Sequence, residues 1–313
     1  MLVYTKPGGE TVQSGKFRVI PVPIDEETLW NFKTADEYKD HNRYFTIGIY
    51  KEIITNQDGI LDRLRRDENN NIKKYDIGIA EFNVMAGSFA VFEALGIEET
   101  FDVSSSVFNP AHLQFLEINV LNFEVPDYNL AKPGDWVNGE WQKDREENRN
   151  EHEVSNNRVR KLFTSDSQNY YDSLFNYHGI SIKKPSTLVD LFKLIKYHFV
   201  NQHPLIKFNN FPEHEKIVYI GGIAVEDHKL LTKEKKFVSK FKCDVLVSFG
   251  TLDYIVMYPI STMIKEVFVK FPKCYFHVRA TEKSEFRNVY ISVGNFPIFM
   301  GILFILIIIN SNV

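Results

Sequence analysis

Apolar and polar residues along the chain follow two periods, and the switching between them predicts an α/β protein. Short apolar runs predict strands at 2–4 and 17–22, with a Pro7-Gly8-Gly9 turn between them. Ile49, Ile53, Leu61 and Leu64 recur at helical spacing within 37–66, and the polar run DENNNIKK ends that helix. A strand at 75–80 (YDIGIA), a helix at 85–95 and a strand at 101–105 come next. Pro185-Ser186-Thr187 opens a helix reading LVDLFKLIKYHF, and strand signals follow at 200–208 and 217–220. Beyond them lie an apolar strand at 243–249 with a Gly250-Thr251 turn, a helical stretch around 261–271 and a strand at 275–278. This strand–helix rhythm predicts an open, mostly parallel sheet. Only the charged stretch 135–160 breaks it, reading as a solvated loop or exposed helix.

The length of 313 residues exceeds what one core usually serves and predicts two domains. Hydrophobic residues at 44% and charged residues at 25% exclude a disordered or fibrous chain. The net charge of −4 gives no electrostatic reason to expect nucleic acid as a partner. Cys243 and Cys274 are too few for a disulfide scaffold or a cysteine-based zinc site. No apolar stretch follows Met1, so no signal peptide is read there. No charged residue follows Arg287, and the apolar run 289–309 has the length of a single transmembrane helix. Asn295 and Pro297 shorten its uniform part to 298–309, a length that also suits a buried helix or strand.

Three features carry candidate chemistry. Nine histidines suggest metal ligands, with His203, His214 and His228 most prominent, but their spacing fits no ligand pattern and no metal is expected. Ser248-Phe249-Gly250-Thr251 ends a strand with a hydroxyl and an exposed backbone N–H. At the carboxyl edge of a parallel sheet such donors suit a phosphate. Glu81 directly follows the 75–80 strand, where α/β enzymes place working carboxylates, although a carboxylate there serves equally as a helix cap or a solvated charge. Gly221-Gly222 reads as a tight turn after a strand.

Taken in order, YDIGIAEFNVMAGSFAVFEALGI, FDVSSS, VNQHPLIKFNNFPEHEKIVYIGGIAV and VSFGT resemble the UDP-glycosyltransferases of the glucuronosyltransferase family, particularly its nematode branch. The resemblance spans about 1–292. It implies a GT-B-like fold: a Rossmann-like acceptor domain over 1–208, lacking its first strand, a linker at 209–216, and the first part of a Rossmann-like UDP-sugar donor domain over 217–292. An apolar tail follows at 293–313. The family transfers a hexosyl group from a UDP-sugar to the hydroxyl of a small lipophilic acceptor, with inversion and without a metal or other cofactor. By this resemblance Glu81 is the acidic partner of a catalytic histidine, and Ser248, Gly250 and Thr251 contact the donor. The family also implies the endoplasmic reticulum membrane and oligomers with related chains.

The chain departs from the family at both ends. The family's histidine lies on a strand that would precede Met1, and none of the nine histidines here replaces it. Where the family continues into Trp-Leu-Pro-Gln and a His- and Gly-rich donor signature, this chain continues Val293-Gly294-Asn295. Residues from Val293 onward read as translated intron, or alternatively as the anchor of a shortened isoform. The chain as it stands is therefore expected to lack UDP-sugar turnover. The competing functional class is a non-catalytic truncated isoform, or a membrane-tethered binding or regulatory fragment. A further alternative is an unrelated α/β binding protein with similar strand ends.

Overall fold

The computed structural model describes residues 2–5, 13–16, 18–23, 47–48, 50–55, 59–67, 69–127, 136–137, 140–141, 145–178, 180, 182–208, 210–223, 227, 243–247, 268, 270–279, 289–292 and 308–311. The chain divides into two compact units, Met1–Ile223 and Ala224–Val313. The 209–216 segment read as a linker lies inside the first.

The first unit is built on four parallel strands in the order β3 (Ile77–Ala80), β4 (Glu99–Ser104), β7 (Tyr197–Val200) and β8 (Ile217–Tyr219). Parallel neighbours need crossovers, and the first is supplied by α2 (Phe82–Met85) and α3 (Gly87–Ala94). Register aligns Ala80, Asp102, His198 and Ile217 on one face of the sheet. This face is the buried one: His198 and Val200 are fully covered, and Thr100 and Asp102 nearly so. On β3 and β4 its side chains are small or polar, so aromatic rings from the covering helices come close. A Cβ on Gly78 would lie 2.6 Å from the Phe92 ring. Phe82 sits at the centre of the core, its ring centroid 5.0–5.3 Å from those of Phe89, Phe163 and Phe192. The opposite face presents Ile77 and Ile79, which are more than half exposed.

Two further strands, β1 (Leu2–Thr5) and β2 (Ile20–Pro23), pair in parallel as a separate sheet, and the Pro7-Gly8-Gly9 turn lies outside the described residues. Among the described residues β3 pairs only with β4. Beside β3 lies a cavity of about 500 Å³, bounded by Ile77–Ala80, by Phe92 and by Ile20 of β2.

Several expected elements shift. The helix read over 37–66 breaks at Gly59, whose φ of 64° is left-handed; helical residues occupy 50–54, and α1 (Ile60–Arg65) starts anew. The helix read as LVDLFKLIKYHF ends early. Capped by Thr187, whose hydroxyl accepts from the Asp190 N–H, α6 (Leu188–Leu194) stops, and Tyr197–Val200 becomes β7. Alternation decides this outcome, with His198 and Val200 turned inward and Tyr197 outward. The strand read over 200–208 is instead a loop with a short 3₁₀ turn at Pro204–Ile206.

Of the two readings of the charged stretch 135–160, the helix holds over its second half, although one face of that helix is buried. The stretch forms a two-stranded hairpin, β5 (Trp136–Val137) with β6 (Glu140–Trp141), and then α4 (Arg145–Lys161). Asn148, His152, Ser155 and Val159 make a buried stripe on α4 at helical spacing. Asn148 donates to the Val125 carbonyl and accepts from the Asp127 N–H, and Ser155 donates to Asp127. The helix leads through a π turn at Leu162–Asp166 into α5 (Ser167–His178).

In the second unit β9 (Cys243–Val247), β10 (Cys274–Arg279) and β11 (Val289–Ser292) are parallel in the order 11-10-9. The strand β12 (Ile308–Ser311) adds antiparallel to β9. Both ends of the apolar run 289–309 are thus strands rather than one continuous helix, and 293–307 lie outside the described residues. Among the described residues no helix is long and apolar enough to cross a membrane. Cys243 and Cys274 are register partners and form a disulfide, which the cysteine count alone did not suggest.

Two stability predictions follow from this packing. Replacing both cysteines by serine opens a loop of 31 residues' separation. The loop-closure contribution is about 3–4 kcal/mol, so the second unit's denaturant midpoint should fall accordingly. Gly221 has no left-handed φ, but a Cβ there would stand 2.3 Å from the Gln202 carbonyl carbon, whereas Gly222 needs its φ of 91°. Gly221→Ala should therefore cost about 1–3 kcal/mol in urea unfolding.

Candidate functional site

The carboxyl ends of β3, β4 and β7 bring one polar cluster together. Glu81 leaves β3, Ser105 leaves β4 and Asn201 leaves β7. Asn201 ties the last two strands, its backbone N–H donating to the Ser104 carbonyl and its side-chain amide to the Ser105 carbonyl at 3.2 Å. The Ser105 hydroxyl donates to Glu81 Oε1 at 3.3 Å. Nearby, Asn109 donates to the Asn83 side chain while its own oxygen caps the 3₁₀ turn Pro110–Leu116. In open parallel sheets this edge is where ligands bind.

Glu81 occupies the N-cap position of α2 with extended backbone, yet its side chain makes no capping bond. The acceptor for the first helical N–H comes from the next strand. Asp102 Oδ1 accepts from the Phe82 N–H at 2.8 Å, and Asp102 Oδ2 stands 2.8 Å from His198 Nδ1. Of the two ordinary roles for an edge carboxylate, helix capping is therefore taken by another residue. Half-burial raises the Glu81 pKa above the usual carboxylate value. The Ser105 backbone and hydroxyl pull it back, and the Asp102 charge pushes it further up. The result is a carboxyl that holds a proton more tightly than a surface glutamate and lies at hydrogen-bonding reach of the sheet edge. Such a group can orient an imidazole or exchange a proton with a bound hydroxyl.

The other sequence candidates fare differently. Ser248, Gly250 and Thr251 lie outside the described residues; β9, the strand leading to them, is in place. His203 and His214 serve their own turns, each ring accepting from a backbone N–H two residues on. His228 lies outside the described residues. Among the described residues no group of three His, Cys, Asp or Glu side chains gathers to hold a metal ion.

Sequence reasoning weighed the histidines only as metal ligands and missed the buried ones. His198 is fully covered, stacks on Phe192 at 4.6 Å between ring centroids and is bound to Asp102. His152 hydrogen-bonds the Val125 carbonyl from α4. His112 lies among Phe82, Phe108, Phe115, Phe163 and Phe192, and its Nε2 meets no hydrogen-bond partner. Local signals existed for Asp102, a charged residue at the centre of a strand that demands a partner when buried, and for His152, which recurs with Asn148 and Ser155 at helical spacing.

The chain matches no protein-family model, no curated protein and no solved structure.

Burial of His112 gives this region an acid sensitivity with a defined sign. Desolvation lowers its pKa from 6.5 to about 4; the Asp102 charge opposes this and His198 adds to it. The unfolded chain therefore binds the extra proton between these values, so stability rises with pH across that window and is lost on acidification. At about 1.4 kcal/mol per pH unit the contribution is about 3 kcal/mol. Urea unfolding at pH 7 and pH 4 should show this loss for the native protein, and a correspondingly smaller one for His112→Leu.

Proposed function

We propose that the chain is part of a UDP-sugar-dependent glycosyltransferase acting on the hydroxyl of a small lipophilic acceptor, with a GT-B-like arrangement of acceptor and donor domains. The observation that carries this reading is Glu81 itself. It stands at the carboxyl end of a parallel strand, relieved of capping and with raised proton affinity. That is the position given to an acidic partner by the family whose ordered motifs the sequence resembles.

In this mechanism Glu81 holds the N–H of a histidine and stabilises the imidazolium formed when that histidine takes the acceptor's proton. The alkoxide then displaces UDP from the sugar, and backbone donors at 248–251 meet the developing diphosphate charge. Of the nine histidines, His112, His152 and His198 are buried, and His203 and His214 bond to their own turns. The family resemblance places the histidine on a further strand, and the cavity beside β3 is the space open to one. The Cys243–Cys274 bridge favours an oxidising compartment, in line with the lumen of the endoplasmic reticulum. Association with that membrane and with related chains belongs to the same proposal.

The test is a chimaera in which a glucuronosyltransferase's first strand precedes Met1 and its donor half follows Ser292. It should glycosylate a lipophilic alcohol in a UDP-sugar-dependent way. Glu81→Gln should lower kcat by about 10²-fold and displace the acidic limb of the pH–rate profile, and Glu81→Asp should restore most of the rate. A folded chimaera without transfer, or a Glu81→Gln variant at full rate with an unchanged profile, would overturn the reading.

A further inference from the structure

We infer that Asp102, held by His198, is a positioning residue: it pins the peptide that joins Glu81 to Phe82 and so keeps the Glu81 carboxylate turned to the sheet edge. The inference rests on the reading of Glu81 as the working carboxylate.

The Phe82 N–H belongs to the peptide that joins Phe82 to Glu81, and it is one of the donors that the first turn of α2 leaves without an intrahelical partner. Asp102 Oδ1 accepts from it, and the bond is buried. That bond holds the plane of the peptide beside Glu81, and with it the direction in which the Glu81 side chain leaves the backbone. The Glu81 carboxylate meets the Ser105 hydroxyl.

Asp102 can do this only because its second oxygen is also engaged. It is 5% exposed, and a carboxylate buried to that degree needs its charge answered. His198 Nδ1 lies 2.8 Å from Oδ2, and with Asp102 ionised that nitrogen carries the proton. The imidazole is fixed in turn by Phe192 against its face and Phe108 edge-on, at 4.6 and 5.5 Å between ring centroids. Its Nε2 has no hydrogen-bond partner and the ring is fully covered, so His198 cannot reach a ligand. Its contribution is orientation. The relay runs from β7 through β4 to the residue that follows β3, across 96 positions of sequence between His198 and Asp102. The titratable groups near this relay are Glu81 at the edge and His112 on the Pro110–Leu116 turn.

Asp102 therefore acts on Glu81 in two separable ways, by fixing the peptide that follows it and by placing a negative charge nearby. Carbon-13 NMR of the Glu81 carboxyl in the full chain reads both. Asp102→Asn retains an acceptor for Phe82 but loses the charge, and the Glu81 titration midpoint should shift down. Asp102→Ala also frees the Glu81–Phe82 peptide, and the midpoint should rise above that of Asp102→Asn as Glu81 leaves the Ser105 hydroxyl. An unchanged midpoint in these folded variants would overturn the inference.

Should the Asp102 variants fail to fold, Glu81→Ala supplies the second test. Its Phe82 amide should keep the hydrogen-exchange protection of the native protein; loss of that protection would show that Asp102 does not by itself hold that peptide, and would overturn the inference. None of these measurements uses catalysis. A chimaera that transfers no sugar leaves their outcome standing, and an unresponsive Glu81 leaves the transferase reading standing.

Discussion

One carboxylate joins three strands of the first unit. Asp102 sits at the middle of the sheet on its buried face, with one oxygen committed to the turn after β3 and the other to a histidine of β7. A buried charge is costly unless it is paired and hydrogen-bonded, and the aromatic packing around Phe82 depends on this pairing. If the Phe82 N–H lost its acceptor, the ring that contacts Phe89, Phe163 and Phe192 would lose the anchor of its own backbone. The polar edge and the apolar core are therefore set by the same contact.

The layered organisation was legible in the sequence because it is local. YDIGIA is apolar, brief and followed by helix formers, and it becomes β3 with Glu81 at its end. FDVSSS likewise becomes β4, but its facing was hidden. Phe101 and Val103 suggest an inward apolar pair with Asp102 turned to water; the structure reverses this, burying Asp102 and leaving Phe101 half-buried on the other face. The reversal follows from His198, a residue distant in sequence, and no window around 102 contains it.

The same reasoning accounts for the helix that ended too soon. LVDLFKLIKYHF has enough apolar spacing to continue as a helix. Its last part is claimed by β4, to which Tyr197–Val200 adds as a parallel strand. Tertiary pairing overrides local propensity there. In the charged stretch the missed signal was polar: Asn148, His152 and Ser155 recur at helical spacing, but a search for apolar stripes passes over a buried face made of amide, imidazole and hydroxyl groups.

The bridge between Cys243 and Cys274 has a meaning beyond the loop it closes. Its two residues stand directly opposite each other at the start of β9 and β10, so the bond fixes which residue faces which along both strands. In a sheet a slip of one position turns every side chain to the wrong face. Once this link has formed, such misalignment of β9 against β10 is sterically closed off. A chain made where thiols stay reduced must find the same alignment through backbone hydrogen bonds and side-chain fit alone.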